Sequence, residues 1–128
     1  MVSRFTDSAS RDYLTSVGVR AIPCDLLARD AVRDLPPAAN VIYMVGRKFG
    51  TTGAEATTWA TNVIVPDNIV HHYRQSRIVV FSTGCVYPLV SVSTGGCTES
   101  TLPAPVGEYA QSCLGRERVF SYWSGVWG

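Results

Sequence analysis

The sequence predicts an α/β domain built on a parallel sheet with helices on both faces. Two short continuous apolar runs, "NVIYMV" (40–45) and "RIVVFS" (77–82), have the length and composition of strands buried on both faces. Capped, amphipathic stretches lie around and between them, so strands and helices alternate along the chain. That alternation requires parallel strands joined by helical crossovers.

In chain order, "VSRF" (2–5) reads as a short strand. "DSASRDYLTSVG" follows as a helix, with Asp7 or Ser8 as N-cap and Gly18 as its stop. "VRAIPC" (19–24) is strand-like, and "ARDAVRDL" is a short amphipathic helix ended by Pro36-Pro37. The strand 40–45 comes next, then a helix from about Ala54 to Tyr73, in which Pro66 removes an internal hydrogen bond and introduces a kink. The strand 77–82 leads into a Gly/Pro/Ser/Thr-rich loop, 83–106, and a last helix begins near Gly107. No internal repeat or low-complexity tract interrupts this order.

A chain of 128 residues makes one domain or part of one, and 46% apolar with 16% charged residues places it among globular chains. A net charge of +1 offers no basic field for nucleic acid and no acidic tail. No apolar run is long enough to span a bilayer, and residues 1–20 lack the apolar core of a signal peptide. The expectation is a cytoplasmic protein with neither membrane nor nucleic-acid partner. Cys24, Cys85, Cys97 and Cys113 are widely spaced with no C-x-x-C, which predicts reduced thiols, no metal site and no disulfide framework.

The stretch "VIYMVGRKFGTTG" (41–53) has the strand–loop–helix context of a phosphate-gripping loop. Its G-x-x-x-G-x-x-G spacing is not the dinucleotide fingerprint, and Lys48 precedes the second glycine where a nucleoside-triphosphate loop has its lysine after it. Spacing alone leaves a phosphate role and an ordinary connection both open. Parallel sheets place their sites beyond the carboxyl ends of the strands. Here that edge carries Asp25-Leu26, "GRKFGTTG", "STGCVY" and the loop leading to Tyr109.

"RIVVFSTGCVYP", followed by "PAPVGEYAQSCLGRER", resembles the extended short-chain dehydrogenase/reductase family, the sugar-nucleotide epimerases and dehydratases. In that family a strand ends in a Ser/Thr stretch before "VYG", and a Glu- and Pro-containing loop leads to Tyr-x-x-x-Lys on a helix. The resemblance puts Thr83 on the family's catalytic Ser/Thr, Tyr109 on its catalytic tyrosine, and Glu99 and Pro105 in the intervening loop. "TNVIVPDNIV" resembles the Asn-Val-x-Gly-Thr-x-Asn helix and puts Asn62 on its asparagine. "CDLLARD" resembles the segment whose Asp-Leu, here Asp25 and Leu26, meets the adenine. Val45 and Gly46 then correspond to the strand end where backbone passes beside the cofactor. Arg4 stands where the family often has an acid for the adenosine ribose; an arginine there favours a 2′-phosphate, hence NADP over NAD.

The resemblance implies a Rossmann-type sheet and a single partial NAD(P)-binding domain over 1–128. Gly46 and Tyr109 are too close in sequence for Gly46 to belong to the family's nucleotide-binding turn, so "VIYMVG" corresponds to the fourth strand of that sheet. The first strand with its Gly-rich turn and the C-terminal substrate lobe have no counterpart here. The expectation is an internal piece of a protein roughly twice this size or more. With the central first strand missing, the sheet should have a gap.

A second departure is Cys113, which occupies the family's lysine position. That lysine binds the nicotinamide ribose and lowers the tyrosine pKa; a thiol does neither. Lys48 and Arg116 are the candidate substitute cations, and Lys48 is favoured for its place in "GRKFG". His71-His72 read as a helix end on the surface, and Trp59, Trp123 and Trp127 as core or interface residues. The implied parent is an NAD(P)-dependent epimerase/dehydratase-like oxidoreductase acting on a small molecule such as a nucleotide sugar, with a homodimer admitted. A non-catalytic dinucleotide-binding or regulatory module, and an inert fragment, remain open beside it.

Overall fold

The computed structural model describes residues 1–48, 50 and 52–127; Phe49 and Thr51 of the loop quoted above lie outside the described residues. Among the described residues four strands alternate with five α-helices: β1 Val2–Ser3, α1 Ser8–Ser16, β2 Ile22–Pro23, α2 Arg29–Arg33, β3 Asn40–Tyr43, α3 Glu55–Trp59, α4 Val65–His72, β4 Arg77–Val80 and α5 Gly107–Trp127. A π-helical turn, Ala60–Ile64, joins α3 to α4. The α/β class and the order of elements are as the sequence predicts, with shorter strands.

β1 pairs with β2 and β3 with β4, both in parallel, in registers Val2↔Ile22 and Asn40↔Arg77. Among the described residues no ladder joins the two pairs. The sheet is therefore split into two pairs, with a gap between them as expected.

Asp7 caps α1, accepting from the Ala9 and Ser10 N–H groups at 3.2 and 3.1 Å. The helix ends where Gly18 turns to a φ of +79°, a conformation open to glycine without strain. The long helix expected over 54–73 is not uniform. Pro66 has no N–H to donate, and just ahead of it the Val65 N–H reaches back five residues to Ala60 O. The chain widens into a π turn instead of simply kinking, which turns Asn62 into the interior.

The core gathers Leu26, Val32, Leu35, Tyr43, Val65 and Ile69, with Phe120 set edge-on to Tyr43 at 5.0 Å. Each fully buried side chain of this size contributes about 1.5–3 kcal/mol of transfer free energy. The expectation that β3 and β4 are buried on both faces is corrected here. Tyr43 is 2% exposed, but Ile42 and Met44 are each 69% exposed and Val79 and Phe81 are about half exposed. The core lies on one side of these strands, and the alternate side chains, which a strand presents to its opposite face, meet solvent.

His71 and His72 are half-buried at the end of α4, and Trp123 donates from Nε1 to Asp67 Oδ1 at 2.9 Å while its ring meets His71 at 4.3 Å. Trp127 stacks on Trp123 at 4.6 Å. Among the described residues no helix is long and apolar enough to cross a membrane.

Candidate functional site

A 240 Å³ cavity opens in the gap between the two strand pairs, at their carboxyl ends. Arg4 enters from beyond β1, Asp25 and Leu26 from beyond β2, and Val45, Gly46 and Arg47 from beyond β3. Five of the six residues expected to bind cofactor thus line one cavity; the sixth, Lys48, is exposed and lies outside its wall. Asp25 Oδ1 accepts the Leu27 N–H at 3.0 Å, a local turn that fixes the carboxylate at the strand end. The volume is below the roughly 300–1,000 Å³ of a whole-ligand pocket.

Behind the cavity lies a buried polar network. Asn62, fully buried, accepts the Arg47 N–H on Oδ1 at 2.8 Å and donates from Nδ2 to Ser112 Oγ at 2.8 Å. Ser112 in turn donates to Tyr109 O at 2.9 Å. Arg116, 5% exposed, donates from Nη1 to Val45 O at 2.9 Å. A Cβ on Gly46 would lie 2.7 Å from that Nη1 and 3.4 Å from Asn62 Oδ1. Glycine at this strand end therefore makes room for Arg116 and Asn62. Ser112 was not singled out from the sequence; its signal is the helical stripe 109, 112, 113, 116, which places all four on one face of α5.

Tyr109 and Thr83 lie together at the end of β4. Thr83 Oγ1 accepts the Cys85 N–H at 3.3 Å and so caps the turn Gly84–Val86 at the end of β4. The Thr83 hydroxyl and the Cys113 thiol lie beside the Tyr109 phenol and influence its acidity. Burial, the largest influence, raises the Tyr109 pKa; Thr83 lowers it, and Cys113 and Cys85 raise it further. Burial also pushes the Cys113 thiol up, against Arg116 and Tyr109, which lower it. Tyr109 is therefore a neutral donor in this setting, where the family's lysine would favour the phenolate.

The model of the NAD-dependent epimerase/dehydratase family matches residues 1–125. The chain belongs to that family. No curated protein matches it. Solved structures show the same fold: RMD from Pseudomonas aeruginosa complexed with NADPH (23% identity, TM-score 0.77), the UDP-Glc/GlcNAc 4-epimerase of Campylobacter jejuni (16%, 0.79) and the UDP-glucuronic acid 4-epimerase of Bacillus cereus in complex with NAD (16%, 0.74). They align with 99%, 98% and 98% of this epimerase/dehydratase-family chain, which in turn covers 50%, 41% and 44% of theirs. The chain thus spans half or less of the length of these relatives.

Proposed function

We propose that this epimerase/dehydratase-family chain is the dinucleotide-contacting part of an NAD(P)-dependent oxidoreductase that acts on a hydroxyl or carbonyl of a nucleotide sugar. The observation that carries the reading is the placement of Thr83 beside Tyr109 at the β4 end, on the same strand-end edge as the cavity of Arg4, Asp25 and Gly46. Asp25 and Leu26 suit an adenine edge and Arg4 a ribose 2′-phosphate, which favours NADP. Lys48, on the loop beyond β3, is the cation proposed for the nicotinamide ribose.

When bound, the nicotinamide supplies the hydride acceptor or donor. Tyr109 exchanges the proton of the substrate oxygen as general acid or base, Thr83 hydrogen-bonds the same oxygen, and Asn62 orders the relay through Ser112. A second reading, a dinucleotide-binding module without catalysis, is favoured by Cys113: its thiol lies beside the Tyr109 phenol and raises its pKa, where a lysine would lower it.

Thermal unfolding of the chain with and without millimolar NADPH or NAD tests binding. A cooperative transition that rises with ligand is expected, and a transition indifferent to both dinucleotides overturns the reading. Turnover of a nucleotide sugar, lost in Tyr109→Phe, separates the enzyme from the module.

A further inference from the structure

A second cavity opens at the amino ends of β3 and β4, away from the strand ends that carry the candidate cofactor residues. Its volume of 630 Å³ falls within the roughly 300–1,000 Å³ of whole-ligand pockets. Ala38 and Ala39, just before β3, line it together with Arg33 at the end of α2, His72 at the end of α4 and Arg74 just beyond. A neighbouring 360 Å³ cavity shares Arg33, His72 and Arg74 and adds Arg29. Among the described residues no carboxylate lines either cavity. In a chain with 11 basic and 10 acidic residues this is a local excess of one sign, and a cleft lined by one sign of charge concentrates the opposite one.

The groove is held open by its own hydrogen bonds. His72 Nε2 donates to Leu35 O at 3.0 Å, Tyr73 Oη to Pro36 O at 3.1 Å and Ser76 Oγ to Ala38 O at 2.6 Å. Three side chains from one wall thus grip three carbonyls of the other, so a ligand meets a preformed surface. The cations are within reach of solvent. The Nε atoms of Arg47 and Arg116 are buried without a partner, whereas Arg33 and Arg74 are exposed. Arg33 meets Asp30 through Nη1 at 2.8 Å, an exposed pair of small worth that leaves most of its five N–H donors. The Arg74 side chain makes no hydrogen bond or ion pair among the described residues.

We propose that this groove binds a phosphate group, held by Arg33 and Arg74. Guanidinium forks match the oxygens of phosphate in paired, charge-assisted hydrogen bonds. A phosphate monoester carries about −1.5 to −2 charges at pH 7, enough to meet two arginines where a carboxylate brings one. The groove is larger than a bare phosphate and also presents Pro37, Ala38 and Ala39, which suits a small organic ester over the free anion. The site lies at the opposite end of β3 from Gly46 and uses no residue of the function proposed above, so it stands independently of that reading.

Phenyl phosphate and inorganic phosphate are the probes. Calorimetric titration into the full chain, at about 0.15 M salt to screen diffuse attraction, is expected to show saturable binding of phenyl phosphate. That binding should weaken at least tenfold in Arg74→Gln and in Arg33→Gln. Arg11→Gln, on α1 and outside both cavities, removes the same charge elsewhere and should leave the affinity unchanged. Absence of saturable binding, unchanged affinity in the Arg33 and Arg74 variants, or an equal loss in Arg11→Gln overturns the site. Inorganic phosphate separates the sources. Tighter binding of phenyl phosphate assigns the site to a phosphate ester, and equal binding of the two assigns it to the free anion; either outcome supports the phosphate site.

Discussion

Asn62 and Ser112, fifty positions apart in sequence, are joined by a 2.8 Å hydrogen bond, and neither side chain is exposed to solvent. This bond ties the π-helical turn to α5, and through the other end of the carboxamide it also fixes the Arg47 N–H beyond β3. One side chain thus holds both halves of the candidate site in register.

Replacing it should be costly. Asn62→Ala leaves the Arg47 N–H and the Ser112 hydroxyl short of a partner in a dry interior and opens a cavity. The expected loss is about 3 kcal/mol, from unpaired polar groups and a void together. Chemical denaturation measures it, and a loss under about 1 kcal/mol would show that water or a shifted side chain replaces the carboxamide.

Gly46→Ala places a methyl group 2.7 Å from Arg116 Nη1, so the guanidinium must leave Val45 O or the strand end must move. A cost of about 1–3 kcal/mol is expected from overpacking. Most of it should disappear in the Arg116→Ala background, where the obstructing atoms are gone. Equal costs in both backgrounds would mean that the backbone, not Arg116, requires glycine here, since contacting pairs couple and independent ones add.

Much of this arrangement was legible in the sequence. Apolar runs located β3 and β4, Asp7 and Gly18 bounded α1, the strand-end rule collected Asp25, Leu26 and Gly46, and the family resemblance added Arg4 and Val45. Arg116 was legible only as a candidate cation beyond Cys113 on the same helix; that it reaches Val45 O was not. What was not legible depended on long-range packing. The apolar runs of β3 and β4 read as buried on both faces, yet Ile42 and Val79 are open on one, because a run of apolar residues does not say what covers it. Pro66 announced a break, but whether the helix kinks or widens depends on where the neighbouring N–H finds a carbonyl. The orphaned Nε atoms of Arg47 and Arg116 depend on side-chain paths that no spacing encodes.

The acidity of Tyr109 should respond to its neighbours individually. Burial holds its phenol above the ordinary tyrosine value, and the Thr83 hydroxyl partly offsets this. Thr83→Val keeps the shape and removes the hydroxyl that lowers the Tyr109 pKa, so that pKa should rise further. Alkaline absorbance titrations, each taken as a difference against Tyr109→Phe in the same background, isolate this one phenol. A pKa that stays put or falls on losing Thr83 would break the proposed pairing at the β4 end.

Tyr43 offers a prediction of opposite sign for stability. Its ring packs edge-on against Phe120, but its hydroxyl is buried with no hydrogen-bond partner. Burial is the main reason its phenol holds its proton far above the usual tyrosine range, with Arg116 a smaller opposing influence. Tyr43→Phe keeps the ring contact and removes the unsatisfied group, so it should stabilise the fold by about 1 kcal/mol, or about 4 °C in Tm. The pH dependence follows from the direction of the shift. The folded pKa is raised, so the unfolded chain ionises first, at about pH 10, and the fold retains its proton. Stability is therefore fully present below about pH 10 and is lost as pH rises toward the folded value. Tyr43→Phe should flatten that alkaline decline, and a residual slope should remain from Tyr73 and Cys24, which burial also raises. Thermal unfolding of both proteins between neutral and alkaline pH provides the check. A lower Tm for Tyr43→Phe at neutral pH would mean that the hydroxyl has a partner after all, and an unchanged alkaline slope would mean that Tyr43 ionises as freely folded as unfolded.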